Sequence, residues 1–333
     1  MEVFLLQTAL TWIIALVFIV AGDLYVHAKS RYTCNACGSG ISGAYFETKG
    51  VLYHPHHFIC SHCSDPITGP YTTYRSSNYH DNCFRNHIAR RCTLCNDVIA
   101  GQYIVDYWGN AYHLRHQKNA SSCDFCDRFV TEDLLKGGVR FSDGRLLCRI
   151  CHASAIKRIG TAKELMNEVT RHLKRIGMNL DDVDLRLHLI GIKKMQVLAD
   201  HRSYDLRGFT DYHEEKNLFG RTKKRKIDVY LLYGMPRVEM IGTLAHELGH
   251  VWQFLNGRLH GDRALSEGSC NFTSYWVLKQ IAPGEEGDFI IESMLRDEDK
   301  IYGEGFRRVK KYVEKNGISE WLALLVRDDP RLP

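Results

Sequence analysis

The sequence has little excess charge. Lys+Arg of 44 against Asp+Glu of 39 leaves +5 over 333 residues, too small an imbalance to argue for nucleic acid by itself. It lacks the extremes of disordered, collagen-like or coiled-coil chains, because 44% of its residues are hydrophobic and 25% are charged, which are ordinary globular proportions. It also lacks the cysteine density of a small disulfide-stapled scaffold. Even so, 12 cysteines and 17 histidines are present, and the cysteines arrive in pairs. The length accommodates two or three domains. These properties describe a globular, multi-domain, metal-rich protein.

Charge is missing altogether from Val3 to Gly22, a run of 20 residues between Glu2 and Asp23. A helix of about that length crosses a bilayer core. A cleaved signal peptide would carry a positive leading region, where this chain has Glu2, although Val26-His-Ala28 fits the small-residue cleavage pattern. A buried globular helix would show a polar face. The expectation is an uncleaved single-pass anchor over residues 1–24, with a signal peptide and a core helix as the alternatives. Lys29 and Arg31 follow the span, so the positive-inside rule makes the protein membrane-anchored with its bulk in the cytosol. Signal cleavage would instead make it secreted or lumenal.

From residue 34 the cysteines follow zinc-site spacing. Cys34-x2-Cys37 is followed after 16 residues by His54-x2-His57, and Cys60-x2-Cys63 after 16 residues by His80-x2-Cys83. Two ligands in one tight turn present their donors to a single ion, and a second such pair closes the tetrahedron. One set is therefore Cys34, Cys37, His54 and His57, and the next is Cys60, Cys63, His80 and Cys83. The two-residue gap between His57 and Cys60 forces the two lobes to pack together. Residues 32–86 resemble a LIM domain, with His57 standing where cysteine is usual. The unit repeats over residues 90–153: Cys92, Cys95, His113 and His116 form a third set, and Cys123, Cys126, Cys148 and Cys151 a fourth. Here six residues, Gln117 to Ser122, separate the halves, so this LIM-like module departs from the pattern and its lobes need not pack as the first pair do. Closed sites of this kind hold a fold together. Their expected roles are binding a partner protein or bracing the next domain. No dense Lys/Arg stripe accompanies them, and nucleic acid is not an expected partner.

Cysteine then all but disappears, leaving only Cys270 after Cys151. Ile156, Ile159, Leu165, Met166, Val169, Leu173 and Ile176 make a helical stripe, and Leu185, Leu187 and Leu189 alternate as in a strand. The basic run Thr222–Lys226 reads as a solvated hairpin turn, with a nuclear-localisation patch as the alternative. Ile227–Tyr233 reads as a strand whose edge is open to an extended peptide. Next comes Thr243-Leu-Ala-His-Glu-Leu-Gly-His-Val-Trp252. His246 and His250 share one helix face and can grip one metal ion, with Glu247 beside them as a general base. The third ligand of a metzincin is absent, since Gln253 and Asn256 stand where glycine and histidine would be required. Glu267, opening a second helical pattern, completes a thermolysin-like two-His, one-Glu site, with His260 as the alternative ligand. Asn271, one turn on, is either an orienting partner of a ligand or a helix-surface residue, and Cys270 is a packed helix residue, with a nucleophile as the alternative.

Gly234-Met-Pro-Arg237, Leu244-Ala-His-Glu-Leu-Gly-His-Val-Trp252, Glu267-Gly-Ser-Cys270 and Tyr302-Gly-Glu-Gly-Phe306, behind tandem LIM and LIM-like modules, resemble the plant growth-limiting "DA-one" family of ubiquitin-activated LIM zinc peptidases. The resemblance covers residues 32–333. It implies an α+β chain in which residues 156–333 form a mostly helical, gluzincin-type metallopeptidase domain with a small sheet. It also implies protein or peptide substrates and ubiquitin or ubiquitylated proteins as partners, although the family's ubiquitin-interacting motifs are replaced here by the uncharged span. The expected metal content is four structural zinc ions and one catalytic ion. Tyr302 is the first candidate to stabilise the oxyanion, on glycines that would let backbone approach the cleft, with Arg237 and His260 behind it. A catalytically inactive LIM adaptor is the competing reading.

Overall fold

The four Cys-x2-Cys pairs that open the ligand sets fold into one backbone motif. The computed structural model describes residues 32–118, 120–130, 137–181, 183–199, 206–216, 222–256 and 262–327. In each pair the amide four residues after the first cysteine donates to that cysteine's carbonyl: Gly38 to Cys34, Ser64 to Cys60 and Asn96 to Cys92 at 2.8 Å, and Asp127 to Cys123 at 3.0 Å. The donor residue is left-handed every time, with φ of 70° at Gly38, 66° at Ser64, 59° at Asn96 and 57° at Asp127. That region favours glycine, and among other residues it is most often entered by asparagine and aspartate. Strands β1 (Tyr32–Thr33) and β2 (Gly40–Ile41) flank the first turn, and single bridges in the same register flank the others: Ile59 with Pro66, Arg91 with Val98, Ser122 with Phe129.

A hairpin follows each turn: β3 (Phe46–Thr48) with β4 (Val51–Tyr53), β5 (Tyr71–Tyr74) with β6 (Ser77–His80), β7 (Tyr103–Val105) with β8 (Ala111–His113), and β9 (Val139–Arg140) with β10 (Leu146–Leu147). The hairpin carries or ends beside the third ligand, and a short helical segment holds the fourth. His57 is in Pro55–His57, Cys83 in α1 (Asp81–Cys83), His116 in Leu114–His116 and Cys151 in α2 (Arg149–Ala153). The fourth lobe thus repeats the other three, despite its longer spacer and all-cysteine ligands.

The chain divides into two compact units, Met1–Ala120 and Ser121–Pro333. The first holds three lobes. Phe46, from the first lobe, packs with Phe58, Ile67 and Tyr71 in one buried cluster, and its ring lies 5.3 Å from that of Phe58. The short gap between His57 and Cys60 therefore joins two lobes through a shared aromatic core.

In the second unit the fourth lobe leads through α2 into α3 (Ile159–Arg175), β11 (Leu185–Ile190), α4 (Ile192–Leu198), β12 (Gly208–Lys216), β13 (Thr222–Leu232), α5 (Arg237–Asn256), α6 (Arg263–Ile281), α7 (Glu285–Arg296), α8 (Gly303–Asn316) and α9 (Ile318–Val326). The sheet order is β11-β13-β12. β11 runs parallel to β13, with Leu187 opposite Val229, and β12 runs antiparallel to it, with Thr210 opposite Val229. Ile227, Val229 and Leu231 are fully buried on one face by strand alternation, and that face meets α5. Leu165, Val169 and Leu173 of α3 and Leu244, Leu248 and Val251 of α5 are likewise buried in the core.

Three expectations change here. The basic run Thr222–Lys226 forms the outer half of β13 instead of a turn, because β12 pairs along it as far as Thr222. The strand expected to offer an open edge is the central one, and the edge next to α5 belongs to β12. Among the described residues no helix is long and apolar enough to cross a membrane. The longest, α5, has 20 residues, but its apolar face packs inside the protein and it carries Arg237, Glu239, Glu247 and two histidines. Residues 1–24, where the anchor was expected, lie outside the described residues. The transmembrane helix of the fold assignment, and the membrane-anchored, largely cytosolic placement built on it, are corrected accordingly. An uncharged run establishes length and hydropathy, and neither determines what the segment packs against. The described architecture is α+β.

The glycines of two motifs set the spacing of the helices. A Cβ at Gly268 would lie 2.3 Å from the Gly305 carbonyl carbon, and one at Gly305 2.3 Å from the Ala264 carbonyl oxygen. Both glycines serve the α6–α8 contact. Gly268→Ala should therefore lower the unfolding midpoint, with a loss of about 1–3 kcal/mol for overpacking. Gly160→Ala, in α3 where an added Cβ meets nothing within 4 Å, should be neutral or slightly stabilising. Equal midpoints for the two variants in thermal denaturation would show that the α6–α8 contact does not need glycine.

Candidate metal centres and active site

The donor atoms of each expected tetrahedral set converge. Cys34, Cys37, His54 and His57; Cys60, Cys63, His80 and Cys83; Cys92, Cys95, His113 and His116; and Cys123, Cys126, Cys148 and Cys151 each bring their ligand atoms within 4.8 Å of one another. In the mixed sets imidazole Nδ1 faces sulfur: His57 meets Cys34 at 3.5 Å, His80 meets Cys63 at 3.4 Å and His113 meets Cys95 at 3.5 Å. No cysteine is in a disulfide. In the first three sets the leading cysteines are drawn toward their thiolates. Burial alone would push them up, but backbone N–H groups of the turn and of the third ligand outweigh it. They bring Cys34 down to about 5, Cys60 to about 6 and Cys92 to about 7. Where thiols crowd, one pays for the others: burial and the neighbouring Cys63 and Cys60 push Cys83 up to about 11. Sulfurs packed this closely suit a shared cation, and the sets fit zinc in both donor type and number.

The fourth lobe is joined to the start of α5. Ile156 N donates to Met235 O at 2.8 Å, Gly234 N to Ile156 O at 3.0 Å and Arg237 N to Ser154 O at 3.0 Å. Arg145 of the lobe donates to Tyr233 O at 3.0 Å, and the Phe141 ring lies where a Cβ on Gly234 would sit, 2.7 Å from that position. The Gly-Met-Pro-Arg motif is thus the seam between a cysteine cluster and the His-Glu-x2-His helix. Arg237 is engaged there, its guanidinium 2.8 Å from Glu168.

On α5, His246 and His250 lie one turn apart and α6 brings Glu267 to them. His246 Nε2 and His250 Nε2 are 3.1 Å apart, and each is 3.3 Å from Glu267 Oε2. That oxygen is buried and has no hydrogen-bond partner. A triangle of lone pairs with 3.1–3.3 Å edges is what tetrahedral ligands form around an ion at about 2.0–2.1 Å. Burial would raise Glu267, yet the two imidazoles pull its carboxyl far below the usual range. Burial opposes charge on His250, but Cys270 and Glu267 push it up to about 12. Both shifts mark a pocket built around positive charge. His260, the alternative ligand, lies outside the described residues.

Glu247 is buried on the β12 side of α5. Thr210 Oγ1 donates to its Oε2 at 2.7 Å, and a Cβ on Gly208 would meet its Oε1 at 2.6 Å. β12 therefore lies directly over Glu247. Its residues facing Glu247 are glycine and threonine, which concealed it as a strand in the sequence. Around the triangle, His246 Nδ1 is 2.9 Å from Asn271 Oδ1, and Asn271 Nδ2 donates to Tyr302 O at 3.1 Å. Gln253 donates to Ser266 O at 2.9 Å and accepts from Ser266 Oγ at 2.8 Å, locking the two helices beside Glu267. Glu267, Asn271 and Tyr302 are thus drawn together, with Tyr302 joined through its backbone at the start of α8. The Tyr302 phenol neighbours the Arg263 guanidinium, which it holds above its ordinary value. The glycines following Tyr302 sit against backbone, Gly303 against Asp297 O and Gly305 against Ala264 O.

The fold and the clusters define a LIM-domain protein with a second, α+β domain that carries a two-His, one-Glu cluster. Residues 34–77 match the LIM domain family and residues 211–290 the DA1-like family, described as Protein DA1. Protein DA1-related 2 of Arabidopsis thaliana is 26% identical over 300 residues, covering 77% of this chain and 55% of that protein. The LIM domain-containing protein HDR3 of Oryza sativa subsp. japonica is 23% identical, covering 89% and 73%. Protein DA1 of Arabidopsis thaliana is 23% identical, covering 74% and 58%. The chain spans little more than half the length of the two Arabidopsis relatives. It combines a LIM domain with a DA1-like domain, and its homologues are the DA1 and DA1-related proteins.

The seam generates a prediction. Cys148→Ser should accelerate amide exchange at Ile156, Gly234 and Arg237, because the fourth lobe is their hydrogen-bonding partner or support. Unchanged protection at all three amides in hydrogen–deuterium exchange would uncouple the cluster from α5.

Proposed function

We propose that the second unit is a zinc-dependent peptidase, with His246, His250 and Glu267 holding the metal and Glu247 acting as general base. The observation that carries this reading is the triangle of His246 Nε2, His250 Nε2 and Glu267 Oε2 beside a carboxylate on the same helix. Zinc at such a site supplies Lewis acidity, polarising a peptide carbonyl and lowering the pKa of water toward neutrality. Glu247 accepts the proton of the attacking water and delivers it to the leaving amine. Thr210 keeps the Glu247 carboxylate from rotating away. An extended peptide adds along β12, which among the described residues has no strand on its outer side. Tyr302, with Arg263 on its phenol, stabilises the charge that develops on the carbonyl oxygen.

The four cysteine clusters hold one structural zinc each, so the full complement is four structural ions and one catalytic ion. LIM domains generally mediate protein interactions, and the LIM lobes here take protein partners, ubiquitin or ubiquitylated proteins among them. The likeness to DA1 and its relatives supports this, and substrates are proteins or peptides.

Glu247→Gln should abolish cleavage of a peptide library while the protein still carries five zinc ions by elemental analysis. Cleavage at the wild-type rate would remove Glu247 from the mechanism. Tyr302→Phe should lower kcat on a cleaved peptide about 100-fold or more, the usual cost of losing an oxyanion donor, with KM and zinc content near wild type. An unchanged kcat would make Tyr302 a structural residue.

A further inference from the structure

Helix α6 contributes more to the candidate centre than Glu267. Two consecutive side chains, Cys270 and Asn271, each reach the outer nitrogen of one histidine on α5. Asn271 Oδ1 stands 2.9 Å from His246 Nδ1, and Cys270 Sγ stands 3.3 Å from His250 Nδ1. In both rings Nε2 faces Glu267 Oε2. An imidazole that presents Nε2 to a metal keeps its proton on Nδ1, and that N–H requires an acceptor to fix the tautomer and the ring plane. For His246 the acceptor is an amide oxygen. For His250 the group in that position is sulfur.

We propose that Cys270 is the positioning residue of His250, its sulfur accepting the Nδ1–H and holding Nε2 on the metal side, and that it is not itself a ligand. The two nitrogens of an imidazole point in divergent directions, so an atom that meets Nδ1 cannot share the ion held by Nε2 of the same ring. The surrounding packing keeps the sulfur in place. Cys270 is fully buried, and Gly249, the residue before His250, leaves room for it: a Cβ there would lie 3.1 Å from Cys270 Sγ. Sulfur does lie close enough to the centre to be weighed as a ligand, since donor atoms of His246, His250 and Cys270 all fall within 4.8 Å of one another. The shorter triangle through Glu267, whose Oε2 has no hydrogen-bond partner, assigns the third corner to the carboxylate. The sulfur is also too deeply enclosed to reach a substrate as a nucleophile. Cys270 and Asn271 together give α6 control of both histidine rings, so the helix that supplies the third ligand also orients the other two.

The inference rests on the metal-centre reading, and zinc retention separates the two. The full chain is equilibrated against a series of chelator-buffered free zinc concentrations, and bound zinc per chain is measured by elemental analysis. Cys270→Ala should weaken the last-filled site by about 10–100-fold, the usual cost of removing such a partner, while the four cluster ions stay bound. Cys270→Ser should restore retention to near wild type, because its hydroxyl can accept the same N–H. Thermal midpoints of both variants exclude unfolding as the cause, and the Ser–Ala contrast remains readable if alanine lowers the midpoint. Equal retention by wild type and the alanine variant would make Cys270 a packing residue and overturn the inference alone. Equal loss in the alanine and serine variants would make sulfur a ligand and overturn it as well. A wild type that binds only four ions would overturn the metal-centre reading along with it.

Discussion

The second unit depends on how closely α5 approaches α6. Gly249 opposes Cys270, Gly242 opposes Ser274, and the hydroxyl of Ser274 donates to the Gly242 carbonyl at 2.6 Å. Backbones brought this near leave no space for side chains between them, and the pairs that do cross the interface are polar and specific: Gln253 with Ser266, His246 with Asn271, His250 with Cys270. Such groups are costly to bury unless they are paired, so each pairing disfavours any other register of the two helices. Glu267 reaches the histidines because that register is set by its neighbours on both sides.

The same contact extends outward. α6 is pinned to α8 by Gly268 and Gly305 and to α9 by the Trp321 indole, which donates to Ser269 Oγ at 3.1 Å. α5 is tied at its start to the fourth cysteine cluster through residues 234–237 and covered on its other side by β12. The metal-binding lobe and the helix bundle therefore share one seam. A chain segment with the local architecture of a LIM lobe belongs, by its contacts, to the same compact unit as the helix pair.

Much of this was legible from spacing. Cysteine and histidine pairs separated by two residues, and histidines four apart on a helix, place donors together through local geometry alone, because a tight turn or a single helical turn determines the distance. Glu267 and Asn271 were also legible as candidates, since a helix one turn long separates them and a second helix was evident in the pattern. Other features left no such mark. β12 carries Gly208 and Thr210 toward Glu247, so the alternation that betrays a buried strand is absent where the strand matters most. The close backbone approaches made by the glycines after Tyr302, to Asp297 and Ala264, could not be assigned a partner from the motif. Arg237 is paired with Glu168, a contact across 69 positions that spacing does not show. The uncharged run near the start of the chain could be read for length and hydropathy only.

Local chemistry is what the amino-acid order determined: four sets of Cys and His donors able to hold a metal, one repeated turn, and a helix bearing two histidines and a carboxylate. Each follows from covalent distance along the chain, over which few conformations exist. The tertiary structure decided what those groups face. It placed Glu267 against the histidines, Thr210 against Glu247, Cys270 behind His250, and the fourth cysteine cluster against the helix that carries the site. These relations join residues 17 to 93 positions apart or depend on the register between packed helices. They are set by close packing and buried hydrogen bonds, which periodicity and spacing do not encode.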